Sequence, residues 1–378
     1  MYEIEFGRRR MAVPIIQGGM GIGVSLERLS GAVAACGGMG VLSAAHAGYR
    51  AEDFGARPVE ANMRELGTAI ARARQIARGV GLIGVNVMVA CQDYARYVKT
   101  SVEAGADAII SGAGLPLELP SFAEGRDVLL APIVSSAKAV KLICRSWQTR
   151  YNRLPDFVVV EGAEAGGHLG FSANELVGKT ARPLADLVRD VVAAVNPFAE
   201  TVGRKIPVFA AGGVFTGKDI GELMACGADG VQMATRFIAT EECDADDGFK
   251  QAIIDSREED IGIVVSPVGM PARAIQSPFV KRVASGVRER IVKCVRCLRG
   301  CAPADAPYCI TQALVNAAKG RREDGLFFCG ANAFRVDRIR KVDELIAELM
   351  DELRAFRAAA GCVNPGTNGE ALRVGDAS

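Results

Sequence analysis

Eight short apolar runs, separated by stretches that can form helices, constrain the fold of this chain more than any other feature. Each run is hydrophobic almost throughout, which is typical of strands that are buried on both faces of a parallel sheet. At 378 residues, the chain is long enough for one α/β barrel with an appendage. The runs are residues 13–17, 40–43, 82–86, 108–111, 129–134, 157–161, 208–211 and 230–234.

Glycine stands between a helical stretch and the following strand in three connections, AACGGMGVL, EAGADAII and ACGADGVQ. Glycine fits the left-handed position that commonly ends a helix. Strands that alternate with helices in this way favour a closed (β/α)8 TIM barrel, which is an α/β fold. An open doubly wound sheet is the alternative.

The pattern changes beyond residue 234. Residues 241–290 contain no clear strand, and a helix with one apolar stripe is expected from about residue 340 to 356. We therefore predict a barrel over residues 1–240, a smaller, mainly helical and cysteine-rich appendage over 241–360, and a flexible tail over 361–378.

Charge and hydropathy exclude several classes of partner. The 45 basic and 44 acidic residues nearly cancel, and no run of like charge suggests nucleic acid or an anionic membrane surface. No apolar stretch approaches the roughly 20 residues that span a bilayer, and the first residues lack the features of a signal peptide. We expect a soluble, cytoplasmic protein with a small-molecule substrate. The sequence does not decide whether the protein has a redox partner protein or forms a homodimer.

Polar side chains follow the predicted strands, at the edge where the active site of a parallel barrel lies. Ordinary solvation of loops is the alternative explanation for them. These rim residues are Gln17, Ser43, Asn86, Ser111, Ser135 and Glu161.

Small residues after the seventh and eighth strands predict a phosphate site. Gly212 and Gly213 directly follow one strand, a helix begins near Thr216, and Ala234 and Thr235 follow the other. Small residues let backbone N–H groups and a helix N-terminus approach a phosphate, although a tight βα turn would need them too.

Three glycines in QGGMGIG, after the first strand, permit a flat ring to lie directly on the backbone. This loop is not a dinucleotide fingerprint, because that motif needs an acidic residue at the end of the next strand, where Ser43 stands.

Both histidines of the chain follow predicted strands. His168 lies in the glycine-rich segment EGAEAGGHLGF, where no hydrophobic face would hold it. A histidine at a barrel mouth can move protons or donate to a substrate oxygen. We therefore predict that His168 is catalytic, while a structural and a functional role stay equally open for His46.

The segments PIIQGGMG, GVNVM, EGAEAGGHLG, IPVFAAGGVFTG and GVQMATRF occur in this order and resemble the nitronate monooxygenase (2-nitropropane dioxygenase-like) family. That family also includes FMN-dependent enoyl-ACP reductases, and the resemblance covers residues 12 to about 240. It implies FMN on a TIM barrel, with His168 as general base or near the substrate. We also predict that Ser111, one of the rim residues, binds the cofactor. The resemblance implies that Gly18, Gly19, Met20 and Asn86 line the isoalloxazine, that Glu161 and Gly167 flank it, and that Gly212, Gly213, Ala234 and Thr235 hold the phosphate.

Five of the eleven cysteines crowd into residues 294–329, which departs from the family. Cys294, Cys297, Cys301 and Cys309 have the spacing C-x2-C-x3-C-x7-C, which resembles the cluster segment of the dienoyl-CoA reductase and trimethylamine dehydrogenase type of FMN barrel. Four thiolates suit a 4Fe–4S cluster or zinc. Reduced cysteines without a metal are the third possibility, and Cys329 is a reserve ligand.

The leading functional hypothesis is oxidation of an alkyl nitronate by FMN and O2. The alternative is reduction of an enoyl thioester, with NAD(P)H or a ferredoxin-type donor. From other classes, an isomerase or lyase of a phosphate ligand, or a flavin-binding protein without turnover, also remains.

Overall fold

The computed structural model describes residues 2–361, and most of the tail predicted for 361–378 lies outside this range. Strands are numbered along the chain, and three short 3-10 helices lie at Glu52–Gly55, Glu258–Asp260 and Ala333–Arg335. The strands are β1 (Ile4–Phe6), β2 (Arg9–Met11), β3 (Ile15–Gln17), β4 (Met39–Ser43), β5 (Leu82–Met88), β6 (Ala108–Gly112), β7 (Leu129–Val134), β8 (Val158–Glu161), β9 (Gly167–His168), β10 (Val208–Ala211), β11 (Gly230–Met233), β12 (Ile261–Val265) and β13 (Pro271–Ile275). The helices are α1 (Glu27–Ala35), α2 (Pro58–Ala77), α3 (Tyr94–Glu103), α4 (Leu119–Phe122), α5 (Ala137–Tyr151), α6 (Ala173–Val177), α7 (Leu184–Thr201), α8 (Gly217–Ala225), α9 (Thr235–Ile238), α10 (Asp247–Ile254), α11 (Pro278–Ala284), α12 (Ile310–Ala318) and α13 (Val342–Ala359).

The eight predicted strands form a closed parallel barrel in the order β3, β4, β5, β6, β7, β8, β10, β11, and β11 pairs with β3. The predicted (β/α)8 fold is therefore confirmed, and the open sheet is excluded. The glycines that follow helices hold the expected left-handed conformation, with φ of +88° at Gly37, +84° at Gly105 and +105° at Gly227.

The β1–β2 hairpin covers the amino ends of the barrel strands. The ring of Phe6 lies 5.4 Å from that of Phe157 and 6.4 Å from that of Phe209, measured between centroids. Aromatic and aliphatic side chains thus fill this end of the barrel. The opposite end of the barrel, where the strands have their carboxyl ends, is where an active site can form.

Helix α13 completes the outer layer of the barrel. The helix after the eighth strand, α9, has only four residues, and α13 packs against α1 and α8 instead. Glycines permit this approach, because a Cβ on Gly221 would lie 2.2 Å from the ring of Phe356. The predicted boundary at residue 240 therefore separates α13 from the barrel that it covers. Its buried stripe contains Val342, Leu345, Ile346, Leu349, Met350 and Leu353.

The expectation of no strand in residues 241–290 is wrong. β12 and β13 form an antiparallel hairpin, and β13 also pairs with β9. Most of the residues in β12 are only half-buried, and Arg273 interrupts β13, so neither strand has the continuous apolar pattern of a barrel strand. The appendage thus contains a small sheet beside its helices.

Within residues 2–361, no helix combines the length and the apolar character needed to cross a bilayer.

Candidate active site

One cavity at the carboxyl ends of the barrel strands gathers the predicted catalytic residue and all but one of the predicted cofactor-binding residues. Its floor comes from the loops after the strands, and its outer wall comes from the appendage. The predicted residues that line it are Gly18, Gly19, Met20, Asn86, Glu161, Gly167, His168, Gly212, Gly213, Ala234 and Thr235.

Of the predicted cofactor-binding residues, Ser111 alone does not line this cavity. Its hydroxyl donates to the carbonyl of Val87 at 2.7 Å and lies 2.8 Å from the hydroxyl of Tyr94 on α3. Successive side chains of a strand point to opposite faces, and Ile110 belongs to the apolar cluster inside the barrel. Ser111 therefore faces the outer helices, and its place in the structure is in the packing between strand and helix.

The glycine loop after β3 forms the floor of the cavity. A Cβ on Gly19 would lie 2.4 Å from the Cβ of Asn86, and one on Gly18 would lie 3.1 Å from Cγ of Gln232. The N–H of Gly18 donates to the carbonyl of Met233 at 2.8 Å. Glycine is therefore required at Gly19, and the backbone there lies directly against the side chains of neighbouring strands.

The loops after β10 and β11 form the other end of the cavity. Gly212 and Gly213 have φ of +100° and +80°, which favours glycine at both positions. Residues 330–332 of the appendage connect the two loops. The N–H of Gly330 donates to Oγ1 of Thr235 at 2.8 Å. Nδ2 of Asn332 donates to the carbonyl of Gly213 at 2.6 Å.

Helix α8 does not offer its N-terminus to a phosphate. The N–H groups of Phe215 and Thr216 both donate to Oδ2 of Asp219, at 2.9 and 2.8 Å, and the N–H of Gly217 donates to Oε2 of Glu352 at 2.6 Å. These carboxylates already satisfy the first donors of the helix. A phosphate would therefore rely on the backbone around Gly212 and Gly213 and on the loop after β11.

His168 is fixed in the cavity wall by the appendage. It lies on β9, opposite Ala272 of β13, and its ring centroid is 5.3 Å from that of Phe328. Its Nε2 atom is buried and has no hydrogen-bond partner among the described residues. Burial lowers the pKa of His168 to about 4, so the imidazole is neutral at pH 7 and can accept a proton.

The polar atoms of the cavity fit a flavin. Besides Nε2 of His168, Oε1 of Gln232 is buried and lacks a partner among the described residues, and both side chains line the cavity. A flat ring with a polar edge would lie on the glycine floor and provide partners for such atoms. The glycine loops at the other end suit a single phosphate. The residues present therefore fit FMN.

Burial in the cavity raises the pKa of Glu161 from 4.5 to about 7. In the flavin-free protein, the folded chain then holds this proton to higher pH than the unfolded chain. Stability from this group is fully present below pH 4.5 and is lost as the pH rises through 7. We expect Glu161→Gln to be more stable than the wild type at pH 8 by about 1–3 kcal/mol and equal to it at pH 4. Urea unfolding of both proteins at the two pH values measures this difference, and an equal effect at both would contradict it.

The sequence did not predict the part of the cavity wall that the appendage contributes. Cys329, taken as a reserve metal ligand, is buried in this wall, and a Cβ on Gly166 would lie 2.5 Å from its carbonyl carbon. Arg273 of β13 donates to the carbonyls of Ala163 and Ala165, at 2.5 and 2.7 Å. It thereby holds the glycine-rich loop that carries His168.

His46 lies outside the cavity. Its Nδ1 is 3.1 Å from Nδ2 of Asn62, and its Nε2 is 3.2 Å from Oγ1 of Thr311. Burial lowers the pKa of His46 to about 4. Both ring nitrogens therefore have partners, and the side chain joins the loop after β4 to α12. Of the two roles left open for His46, the structure supports the structural one.

The four cysteines of the spaced motif lie in the segment before α12. Cys294 is exposed, and Cys297, Cys301 and Cys309 are half-buried. Among the described residues, no three His, Cys, Asp or Glu side chains are placed as a ligand set for a metal ion. The metal site stays a prediction.

The family model that matches this chain is described as nitronate monooxygenase, and it matches residues 7–352. The (3aS,4S,5R,7aS)-5-hydroxy-7a-methyl-1-oxo-octahydro-1H-indene-4-carboxyl-CoA dehydrogenase of Mycobacterium tuberculosis is 27% identical over 73% of this chain and 67% of its own length. A probable nitronate monooxygenase of Staphylococcus saprophyticus is 35% identical, but over only 34% of each chain. Among solved structures, FabK from Thermotoga maritima is 26% identical with a TM-score of 0.72, covering 93% of this chain and 96% of its own.

Proposed function

The chain belongs to the nitronate monooxygenase family, and we propose that it is an FMN-dependent oxidoreductase that oxidises alkyl nitronates with O2, whether they are supplied as such or formed at the site from nitroalkanes. The single observation that carries this proposal is the neutral imidazole of His168 in the wall of a glycine-lined cavity, where its buried Nε2 has no hydrogen-bond partner among the described residues. When bound, FMN would accept electrons from the substrate and pass them to O2.

The side chains of the cavity would divide the work between holding the cofactor and handling a proton. The backbone at Gly18 and Gly19, with Asn86, would support the isoalloxazine, and the loop at Gly212 and Gly213 would hold the phosphate. His168 would take the α-proton of a nitroalkane at Nε2, which converts the nitroalkane into the nitronate. At pH 7 the imidazole is neutral, so Nε2 is free to accept this proton.

A second candidate function is the reduction of an enoyl thioester, and the shape of the cavity favours it. Beyond the glycine floor, the cavity continues between apolar side chains of the appendage, which could hold an acyl chain. The Mycobacterium tuberculosis relative, named as a dehydrogenase of a CoA thioester, supports this candidate. The apolar extension is lined by Ile238 of α9 and by four residues of the appendage, Phe249, Leu314, Leu326 and Phe328.

Two assays on one preparation separate these candidates. We expect the FMN-loaded protein to consume O2 with a preformed alkyl nitronate, such as that of nitroethane or 2-nitropropane. In parallel, enoyl-CoA substrates of short and long chain are tested with NADH, NADPH or a reduced ferredoxin-type donor under anaerobic conditions. Reduction of an enoyl thioester without any nitronate-dependent O2 uptake would replace the first candidate by the second.

A further inference from the structure

A second cavity, of about 220 Å³, shares a wall with the candidate active site at its predicted phosphate end. Phe215 and Arg236 line both cavities, and Nη1 of Arg236 donates to the carbonyl of Phe215 at 3.0 Å. Most of the remaining wall comes from residues 335–340 and from α13. Because one water needs about 10–15 Å³ of such space, this cavity has room for a phosphate group and several waters.

Arginine side chains dominate the wall of this second cavity, which is called the arginine cavity below. Among the described residues, the charged groups of its lining are four arginines and three carboxylates. The arginines are Arg236, Arg335, Arg338 and Arg340, and the carboxylates are those of Asp337, Glu348 and Glu352. Positive charge is therefore in excess around a small space, which favours an anion inside it.

The three carboxylates already have partners. Glu348 accepts from Nη2 of the buried Arg236 at 3.0 Å and also from Nη1 of Arg340. Asp337 lies 3.9 Å from Nη2 of Arg340. Glu352 accepts the first N–H of α8 at 2.6 Å, so its charge faces the positive end of that helix. These contacts account for the two less exposed arginines of the arginine cavity and leave the other two.

Arg335 and Arg338 are exposed and have no acidic partner among the described residues. The guanidinium carbon of Arg335 lies 4.2 Å from the centroid of the Phe215 ring, and that of Arg236 lies 4.6 Å from the same centroid. Attraction between a cation and an aromatic ring restrains the Arg335 side chain at the wall without using its N–H donors. The arginine cavity therefore has cationic donors that no protein group satisfies.

We propose that the arginine cavity binds a phosphate monoester or free phosphate, and that Arg335 and Arg338 donate to its oxygens. A guanidinium presents paired N–H donors that match two oxygens of one phosphate, and the resulting hydrogen bonds are charge-assisted. Two unpaired arginines match the charge of a phosphate, about −1.5 to −2 at pH 7, better than the single charge of a carboxylate. A phosphate would also lower the repulsion between neighbouring arginines.

Free phosphate and the ribose phosphate of a nucleotide share this chemistry. The second candidate function uses a CoA thioester and can use NADPH, and both carry an adenosine with a phosphorylated ribose. Because the arginine cavity shares a wall with the candidate active site, such a ligand would hold its phosphate beside the site in which it reacts. A nucleotide source rests on the second candidate function, whereas the phosphate site itself does not.

Isothermal titration calorimetry of the full-length, FMN-loaded protein tests this proposal. The probes are inorganic phosphate, adenosine 2′,5′-bisphosphate for the NADPH end, adenosine 3′,5′-bisphosphate for the CoA end, and adenosine as the control without phosphate. We expect the phosphate compounds to bind and adenosine not to bind. A preference of about 10-fold or more for one bisphosphate over inorganic phosphate would identify a nucleotide ligand, and equal affinities would identify free phosphate. No binding of any phosphate compound at millimolar concentration, or equally tight binding of adenosine, would overturn the proposal.

Variants test whether the binding occurs in the arginine cavity. Arg335→Ala and Arg338→Ala change exposed side chains, so the fold should persist while the affinity for the tightest probe falls about 10-fold in each, as expected for one lost charge-assisted hydrogen bond. Arg354→Ala is the matched control, because this exposed arginine of α13 pairs with Asp351 outside the cavity.

The flavin content of every sample is measured as well, so a failure of the flavin proposal is seen separately from a failure of the phosphate proposal. Dependence of binding on Arg335 and Arg338 locates the phosphate whether or not FMN is present. Unchanged affinity in both variants would overturn the assignment even if the wild type binds phosphate.

Discussion

The His168→Ala variant is expected to retain FMN but to turn over a nitroalkane about 10²- to 10⁴-fold more slowly than the wild type, the range typical of a lost general base. The imidazole is neutral, its Nε2 points to no protein partner among the described residues, and it lines the cavity. Stopped-flow or steady-state O2 uptake measures the loss. A preformed nitronate lacks the α-proton, so its oxidation should fall much less.

The second histidine of the chain supplies the control for this experiment. His46→Asn removes a buried side chain whose two nitrogens face Asn62 and Thr311, so we expect a loss of stability of about 1–3 kcal/mol. Turnover per folded, FMN-loaded chain should be unchanged, because His46 does not line the cavity. Unchanged nitroalkane turnover in His168→Ala would show that His168 is structural as well.

Gly212→Ala is expected to weaken FMN binding about 10- to 100-fold, so that the variant purifies with little flavin. The φ of +100° is strained for alanine, and the added Cβ would lie 2.9 Å from the backbone nitrogen of Ala165. The loop must move to relieve this contact, and the movement would cost about one hydrogen bond to the phosphate, worth about 1.5–3 kcal/mol. Titration of the apoprotein with FMN, followed by fluorescence quenching, gives the dissociation constant.

Gly227→Ala is the matched control for this variant. Its φ of +105° imposes a similar backbone strain, but its Cβ would meet only Val192, at an ordinary 3.6 Å. Gly227 lies after α8 and outside the cavity. We expect a loss of stability of about 1–2 kcal/mol with the FMN affinity intact. Equal FMN affinity in Gly212→Ala and Gly227→Ala would exclude the loop after β10 as the phosphate site.

The barrel was predictable because its strands are buried on both faces and their apolar runs are continuous. The bounds of β7 and β10 match the prediction residue for residue, and β8 begins one residue later. The β12–β13 hairpin was not predictable from the same signal, because its strands are short and partly exposed. The outer position of α13 could not be predicted either, since the apolar stripe of a helix does not identify the surface that covers it.

The floor of the candidate site was predictable, but its outer wall was not. Glycine pairs directly after a strand identified the loops around Gly18 and Gly212, and both loops line the cavity. Ser111 does not line the cavity, and a polar residue at a strand end does not reveal which face of the strand it occupies. Phe328 and Cys329 reach the cavity through long-range pairing with β13 and the loop before His168, for which the sequence carries no local signal.

The most direct test of a flavin barrel is the identity of the cofactor that the purified protein releases. We expect a yellow protein from which heat liberates FMN, at about one per chain, identified by chromatography and mass. FMN is expected because the cavity pairs a glycine-lined floor with glycine loops suited to one phosphate. Release of FAD would contradict the assignment of the cofactor. A colourless protein that also fails to bind added FMN would contradict the flavin account and leave a barrel for non-redox chemistry on a phosphate-bearing ligand.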